Sequence, residues 1–419
     1  MTSPFSKFTA RLREFIRSFS VAGADARRPT SGNPKSEVRN PKLTEPPHVG
    51  SCDDAFNTLA LELFALQFDH NAPYRKFCEA REVSPRTVTH WREIPAIPTS
   101  AFKELELTCL PAEARTTVFH SSGTTEQKPS RHFHNAESLA IYEASLLPWF
   151  RAHVLPDKPE LELQQMRQPV GVRASACLRE EVELVMLTPA PARAPHSSLV
   201  HMFETVRRET GSPESVFAGE PARDGAWNLN FEGALAIVRR SRESNHPLVL
   251  LGTAFSFVHL LDFLVGENLY FQLPPGSRAM ETGGYKGRSR AIPKRELHAL
   301  ITVRLGIPQS HIVCEYGMSE LSSQAYDVQT PTQSSKLKTQ NSERTFRFPP
   351  WARAQIISPE TGREVADGET GLIRVFDLAN VFSAMAIQTE DLGIRRGAGF
   401  ELIGRSALAE PRGCSLMTA

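Results

Sequence analysis

Apolar residues along the chain switch between two periods. Phe56, Leu59, Leu63 and Phe64 recur at helical spacing through 54–68, behind Ser51 and Asp53 as capping residues. Further helices are expected over 74–81, 256–265 and 294–305. Short apolar runs at 116–120, 184–187, 248–251, 311–315, 354–357, 372–376 and 400–403 predict strands. Strands alternating with helices predict an α/β fold with substantial parallel sheet. After Trp351 the strands crowd together with few helical runs, which predicts a small β-rich C-terminal subdomain. The strand at 116–120 runs into the polar loop 121–130 and then into a helix expected from Asn135 to near Pro148. Strand, small-residue loop, helix is an order that presents backbone N–H groups to an anion.

The N-terminal stretch Phe5–Phe19 (FSKFTARLREFIRSF) is basic and weakly amphipathic. It reads as a loose surface helix, with a targeting segment as the alternative. Residues 22–50 are rich in Pro, Ser, Asn, Arg and Lys and read as a linker or disordered segment. The expected organisation is an N-terminal extension over 1–50, an α/β core over 51–350, and the β-rich subdomain with its tail over 351–419.

Composition narrows the function. Lys and Arg total 48 against 47 Asp and Glu, a formal charge of +1 over 419 residues. A nucleic-acid binder built on bulk charge is thereby disfavoured. No apolar stretch approaches the roughly 20 residues that span a bilayer. The six cysteines, at 52, 78, 109, 177, 314 and 414, include no Cys-x-x-Cys pair and accompany no secretory signal. Their scatter points to a reducing cytoplasm. Cys414 stands apart, on a polar tail near the end of the chain.

Four motifs carry chemistry. His120–Arg131 (HSSGTTEQKPSR) combines hydroxyls and a glycine, which let backbone approach phosphate oxygens, with Lys128 and Arg131 as neutralising charges. It is not a Walker loop, and taken alone it is also an ordinary surface turn. Cys314–Glu320 (CEYGMSE) follows a strand end, where α/β proteins place ligand groups. There Tyr316 offers a flat face for a base and Glu320 a hard oxygen for magnesium. A buried aromatic and a solvated carboxylate is the plainer reading. Gln388–Gly393 (QTEDLG), followed by Gly404-Arg405, supplies an aspartate for ribose hydroxyls and an arginine for phosphate, or simply a turn. Glu281–Arg290 (ETGGYKGRSR) reads as a mobile loop near an anion or as a basic turn. His196 and His259 are weaker candidates, since a lone histidine is more often structural.

In combination these motifs resemble adenylate-forming ligases, and more closely the acyl-protein synthetase (LuxE-like) family of bacterial luminescence fatty acid reductase complexes. The resemblance rests on SSGTTEQKPSRHF, LTPAPARAPHSSLVHMF, ETGGYKGRSR, CEYGMSELSSQAYD, DLANVFSAMAIQTEDLG and AEPRGCSL, and covers roughly 51–419. It implies the N-terminal-domain fold of those ligases and a two-step reaction. ATP and a carboxylic acid, expected to be a fatty acid, give acyl-AMP. The acyl group then passes to a cysteine of the enzyme, here Cys414, for delivery to an acyl reductase partner. Carried over in the same way, Ser121, Ser122, Gly123, Thr124, Thr125 and Lys128 hold the ATP phosphates. Tyr316 and Gly317 lie at the adenine, Asp391 at the ribose, Arg405 at ribose or phosphate, and Glu320 on Mg2+. Only 14 residues follow Arg405. The mobile C-terminal domain of larger ligases, with its catalytic lysine, is therefore expected to be absent, which leaves Lys128, Lys286, Arg288 and Arg290 as candidate cations. The competing functions are a phenylacetate–CoA ligase-like enzyme and a non-catalytic acyl- or nucleotide-binding module.

Overall fold

The computed structural model describes residues 3–25, 49–121, 128–155, 182–221, 227–283, 292–329 and 344–405. The helices are α1 Pro4–Asp25, α2 Val49–His70, α3 Ala72–Glu79, α4 Ala101–Glu104, α5 Ala136–His153, α6 Ser198–Thr210, α7 Phe231–Ser244, α8 Ala254–Gly266 and α9 Lys294–Leu305. The strands are β1 Ile97–Pro98, β2 Thr117–His120, β3 Arg131–His134, β4 Glu183–Pro189, β5 Val216–Pro221, β6 Trp227–Leu229, β7 Leu248–Thr253, β8 Arg278–Thr282, β9 Ile312–Tyr316, β10 Ala325–Gln329, β11 Arg344–Arg347, β12 Ala352–Ile357, β13 Thr370–Asp377, β14 Ala386–Arg396 and β15 Gly399–Arg405.

Among the described residues, one 13-stranded sheet runs β12-β13-β14-β15-β11-β10-β9-β8-β7-β4-β5-β6, with β1 beside β14. Strands β5, β4, β7, β8 and β9 are parallel neighbours. From β9 across to β12 every pairing is antiparallel. The parallel half is covered on both faces, which is why a central strand such as β7 opens on the unbroken apolar run Leu248–Leu251. In β7, Leu248 and Leu250 pack beneath α7, α8 and α9 with Leu235, Phe257, Leu261 and Leu297. Val249 and Leu251 face the other way, toward Leu146 and Phe150 of α5 and Phe203 of α6. Helix starts are set by side-chain caps: Asn135 accepts from Ser138 N, Ser197 from Val200 N, Asn230 from Gly233 N and Thr253 from Ser256 N.

The structure differs from the sequence reading in several places. Helix α5 does not stop at Pro148 but continues to His153, because burying Phe150 and Val154 offsets the lost backbone bond. Helix α2 starts at Val49, so Ser51 and Asp53 lie inside it rather than capping it. A strand, β3, intervenes between the 121–130 loop and α5. The loop therefore joins an antiparallel hairpin, with Thr117 opposite His134 and His120 opposite Arg131.

The N-terminal stretch is a helix but not a loose one. Phe8, Leu12 and Ile16, four residues apart, form a buried stripe in the same core as Phe56, Leu63 and Phe64 of α2 and Ile373 and Ile387 of the sheet. Phe5 stacks on Phe382 at 4.9 Å, and Thr9 Oγ1 donates to Glu137 Oε1 at 2.7 Å at the start of α5. Ile16→Val is expected to cost about 1 kcal/mol in chemical denaturation, the usual penalty for a buried methyl group. A loose surface helix would show no change. No described helix is long and apolar enough to cross a membrane.

Candidate functional site

The site is built where the parallel half of the sheet meets the antiparallel half. Strand β9 ends at Tyr316, and the turn from Gly317 to Gln324 leads into β10. The Tyr316 ring is buried edge-on against Phe346, Phe348 and Phe400, at 6.1, 6.2 and 5.3 Å between centroids. Its hydroxyl donates to Asp391 Oδ2 at 2.9 Å. Asp391 on β14 lies opposite Arg405 on β15 in the ladder. Arg405 Nε is 3.4 Å from Asp391 Oδ1, and its Nη2 donates to Glu390 Oε2 at 2.8 Å. Three residues from two separate sequence motifs are therefore linked through Asp391.

The hydroxyl-rich hairpin reaches the same turn from the other side. Ser121 Oγ accepts from Ser130 N at 2.9 Å, closing the base of the loop. Ser130 Oγ lies 3.5 Å from Ser319 Oγ, and His132 Nδ1 donates to the Ser319 carbonyl at 2.8 Å. Ser319 Oγ in turn donates to Glu320 Oε2 at 3.1 Å. Burial pushes the His132 imidazole down to about 4, so it is neutral at physiological pH. Lys128 sits at the surface with Nζ 3.2 Å from Glu104 Oε2, and Arg131 pairs with Glu106 at 3.2 Å. His196 stacks on His120 at 4.9 Å beside the hairpin, whereas His259 lies on α8 against Phe255. Ser122, Gly123, Thr124, Thr125, Lys286, Arg288, Arg290 and Cys414 lie outside the described residues.

Several participants were not singled out from sequence. Glu315 is buried at the end of β9 and accepts from Thr282 Oγ1. A Cβ at position 317 would run into its Oε1, so any larger residue there would have to displace the Glu315 carboxylate. Burial raises Glu315 to about 7, with the Thr282 hydrogen bond opposing the rise and the Glu281 carboxylate adding to it. Behind it, Lys294 and Arg344 surround Asp327, at 2.7 and 3.2 Å, while His298 faces Glu281 at 3.3 Å. These residues join β8, α9, β9, β10 and β11 through one buried charge network. Ser130, Ser319 and His132 all fall within quoted motifs. What marks them is a polar residue held at a buried position, which sequence alone does not display.

Tyr316→Phe removes one donor from Asp391 without creating a cavity. If Asp391 binds nucleotide, the expected result is about a tenfold rise in KM for ATP in acid-dependent ATP–pyrophosphate exchange. An unchanged KM would separate Tyr316 from nucleotide binding.

The architecture is that of adenylate-forming ligases. The solved open conformation of 2-hydroxyisobutyryl-CoA ligase, in complex with 2-HIB-AMP and CoA, superposes with a TM-score of 0.57 at 14% identity, covering 88% of this chain and 81% of that one. The acyl-protein synthetase (LuxE) family profile matches residues 175–419, and the chain belongs to that family. Two curated relatives, both long-chain-fatty-acid–luciferin-component ligases, come from Aliivibrio fischeri and Vibrio harveyi. Each is 22% identical to this chain; the first covers 86% of it and 87% of its own length, the second 84% of each.

Proposed function

We propose that the protein activates a long-chain carboxylic acid with ATP and then carries the acyl group on its own cysteine. The observation that carries this reading is the meeting of the Ser121–Ser130 hairpin, the Glu320 turn and the Tyr316–Asp391–Arg405 group at one end of the parallel sheet. Family membership and the names of the two relatives agree with it.

The chemistry follows from the groups present. A carboxylate is a poor electrophile, because its leaving group is oxide. In the first step its oxygen attacks the α-phosphorus of ATP, the bond to the bridging oxygen breaks, and pyrophosphate leaves. Catalysis here consists of alignment and charge neutralisation. The hairpin N–H and hydroxyl groups, Lys128 and Arg405 serve those ends, and Asp391 accepts from the ribose hydroxyls. In the second step the Cys414 thiolate attacks the acyl carbon and the bond to AMP breaks, leaving a thioester. Cys414 follows Arg405 by nine residues. That is a covalent reach of about 30 Å at most, and enough to return to the site.

No group of three His, Cys, Asp or Glu among the described residues is arranged to hold a metal. A single carboxylate at this turn, Glu320, fits magnesium that arrives with ATP and takes its other ligands from phosphates and water. Bound there, magnesium would neutralise phosphate charge.

Incubation with labelled long-chain acid, ATP and magnesium tests the reading. The expected results are acid-dependent ATP–pyrophosphate exchange and a hydroxylamine-labile label on the protein. A folded sample showing neither would favour a non-catalytic binding module. Exchange without protein label, and with rapid consumption of free CoA, would favour a CoA ligase. Delivery to an acyl reductase is the expected fate of the thioester, since a thioester is readily reduced where a carboxylate is not.

A further inference from the structure

The segment from Asp377 to Met385 carries polar residues with no part in the proposed chemistry, yet all of them are buried. Asp377 accepts from Ser322 N, Ser323 N, Ser323 Oγ and Ala379 N at 2.7–3.0 Å. Asn380 Nδ2 donates to the Glu320 carbonyl at 2.7 Å and to the Ala384 carbonyl at 3.0 Å, while its Oδ1 accepts from Ser322 Oγ at 2.7 Å. The segment is itself clasped by α2: Gln67 Nε2 donates to the Asn380 carbonyl at 2.7 Å, and Gln67 Oε1 accepts from Met385 N at 2.9 Å. Ser383 Oγ donates to the Leu107 carbonyl at 2.8 Å.

The pattern is directional. Among the described residues, every side-chain hydrogen bond of Asp377 and Asn380 that leaves the segment lands on residues 320–323, the half of the turn that bears Glu320. His132 holds the preceding residue, Ser319, by its carbonyl. The backbone at Ser319 and Glu320 is therefore held by two separate elements, β3 through His132 and the 377–385 segment through Asn380. A carboxylate needs such fixing when its oxygen must meet a ligand within a few tenths of an ångström.

We propose that Asn380 is a positioning residue: through the Glu320 carbonyl and Ser322 it sets where the Glu320 carboxylate meets the metal of magnesium–ATP. The proposal rests on the reading of Glu320 given above. Its test is ATP binding by titration calorimetry without acid, with magnesium and then with EDTA, on the full chain. In the wild type magnesium is expected to tighten ATP binding. In Asn380→Ala the affinity for magnesium–ATP is expected to fall about tenfold, while that for metal-free ATP stays within twofold. A purely structural role would lower both together or neither, and either result overturns the proposal. Ser322→Ala removes a single hydrogen bond of the set. It is expected to shift magnesium–ATP affinity about threefold in the same direction, and it decides the matter if Asn380→Ala does not fold. No such shift in Ser322→Ala then overturns the proposal. If magnesium fails to tighten ATP binding in the wild type, the Glu320 reading itself is wrong, an outcome distinct from the failure of Asn380 alone.

Discussion

Alanine at Cys414 is expected to abolish the hydroxylamine-labile acyl label while leaving acid-dependent ATP–pyrophosphate exchange within twofold of the wild type. The first half of the reaction needs no thiol, and the second has no other good acceptor among most of the described cysteines. Burial pushes the Cys78 thiol up to about 12 and the Cys109 and Cys314 thiols upward as well, so all three stay protonated and poorly nucleophilic. Cys52 is half-buried, with Sγ 3.8 Å from Arg353 Nη2, and Cys177 lies outside the described residues. Cys52→Ala and Cys177→Ala are therefore the controls, and both are expected to keep full label. Quantitative label on Cys414→Ala would remove Cys414 from the mechanism.

Glu315→Gln is expected to flatten part of the pH dependence of stability. With a folded-state value near 7 against 4.5 for an ordinary glutamate, the folded protein keeps a proton that the unfolded chain releases. The resulting stabilisation is fully present below about pH 4.5 and is lost as pH rises to about 7. The span corresponds to roughly 3 kcal/mol. The groups facing Glu315 are the Thr282 hydroxyl, the Glu281 carboxylate and the phenols of Tyr142 and Tyr326, which burial first and Glu315 second push upward. Those phenols remain neutral through the window, and burial of Glu281 is outweighed by its His298 and Lys294 partners, so it is already ionised there. Measured by denaturant unfolding from pH 4 to 8, the wild type should lose about 3 kcal/mol relative to Glu315→Gln. Parallel curves would place the Glu315 carboxyl in an ordinary ionised state.

The parallel half of the fold was legible because a central strand of a sheet covered on both faces carries an unbroken apolar run. Runs such as LVLLGT cannot be read as anything half-exposed. The β2–β3 hairpin was harder. RHFH alternates over only four residues, and His132 and His134 are buried there through specific partners that no hydropathy pattern encodes. Helix α5 passed through Pro148 because the gain from burying Phe150 lies in the tertiary fold, not in local propensity. At the site, Tyr316, Asp391 and Arg405 stood out through turn chemistry at strand ends, and the ladder joins them. Glu315, Asp377 and Asn380 did not stand out. Each is a polar residue set within an apolar run, and its meaning lies wholly in which backbone groups it reaches across the chain.

The docking of α1 makes Phe5–Phe19 a structural wall. Phe5 shields Phe382, and Leu12 and Ile16 close over the α2 core. A shortened polypeptide beginning at Ser51 would present that greasy surface to water directly beside the clasp made by Gln67. Such a fragment is expected to be recovered from inclusion bodies or bound to chaperones, so proteolysis between α1 and α2 would tell on yield before it told on turnover.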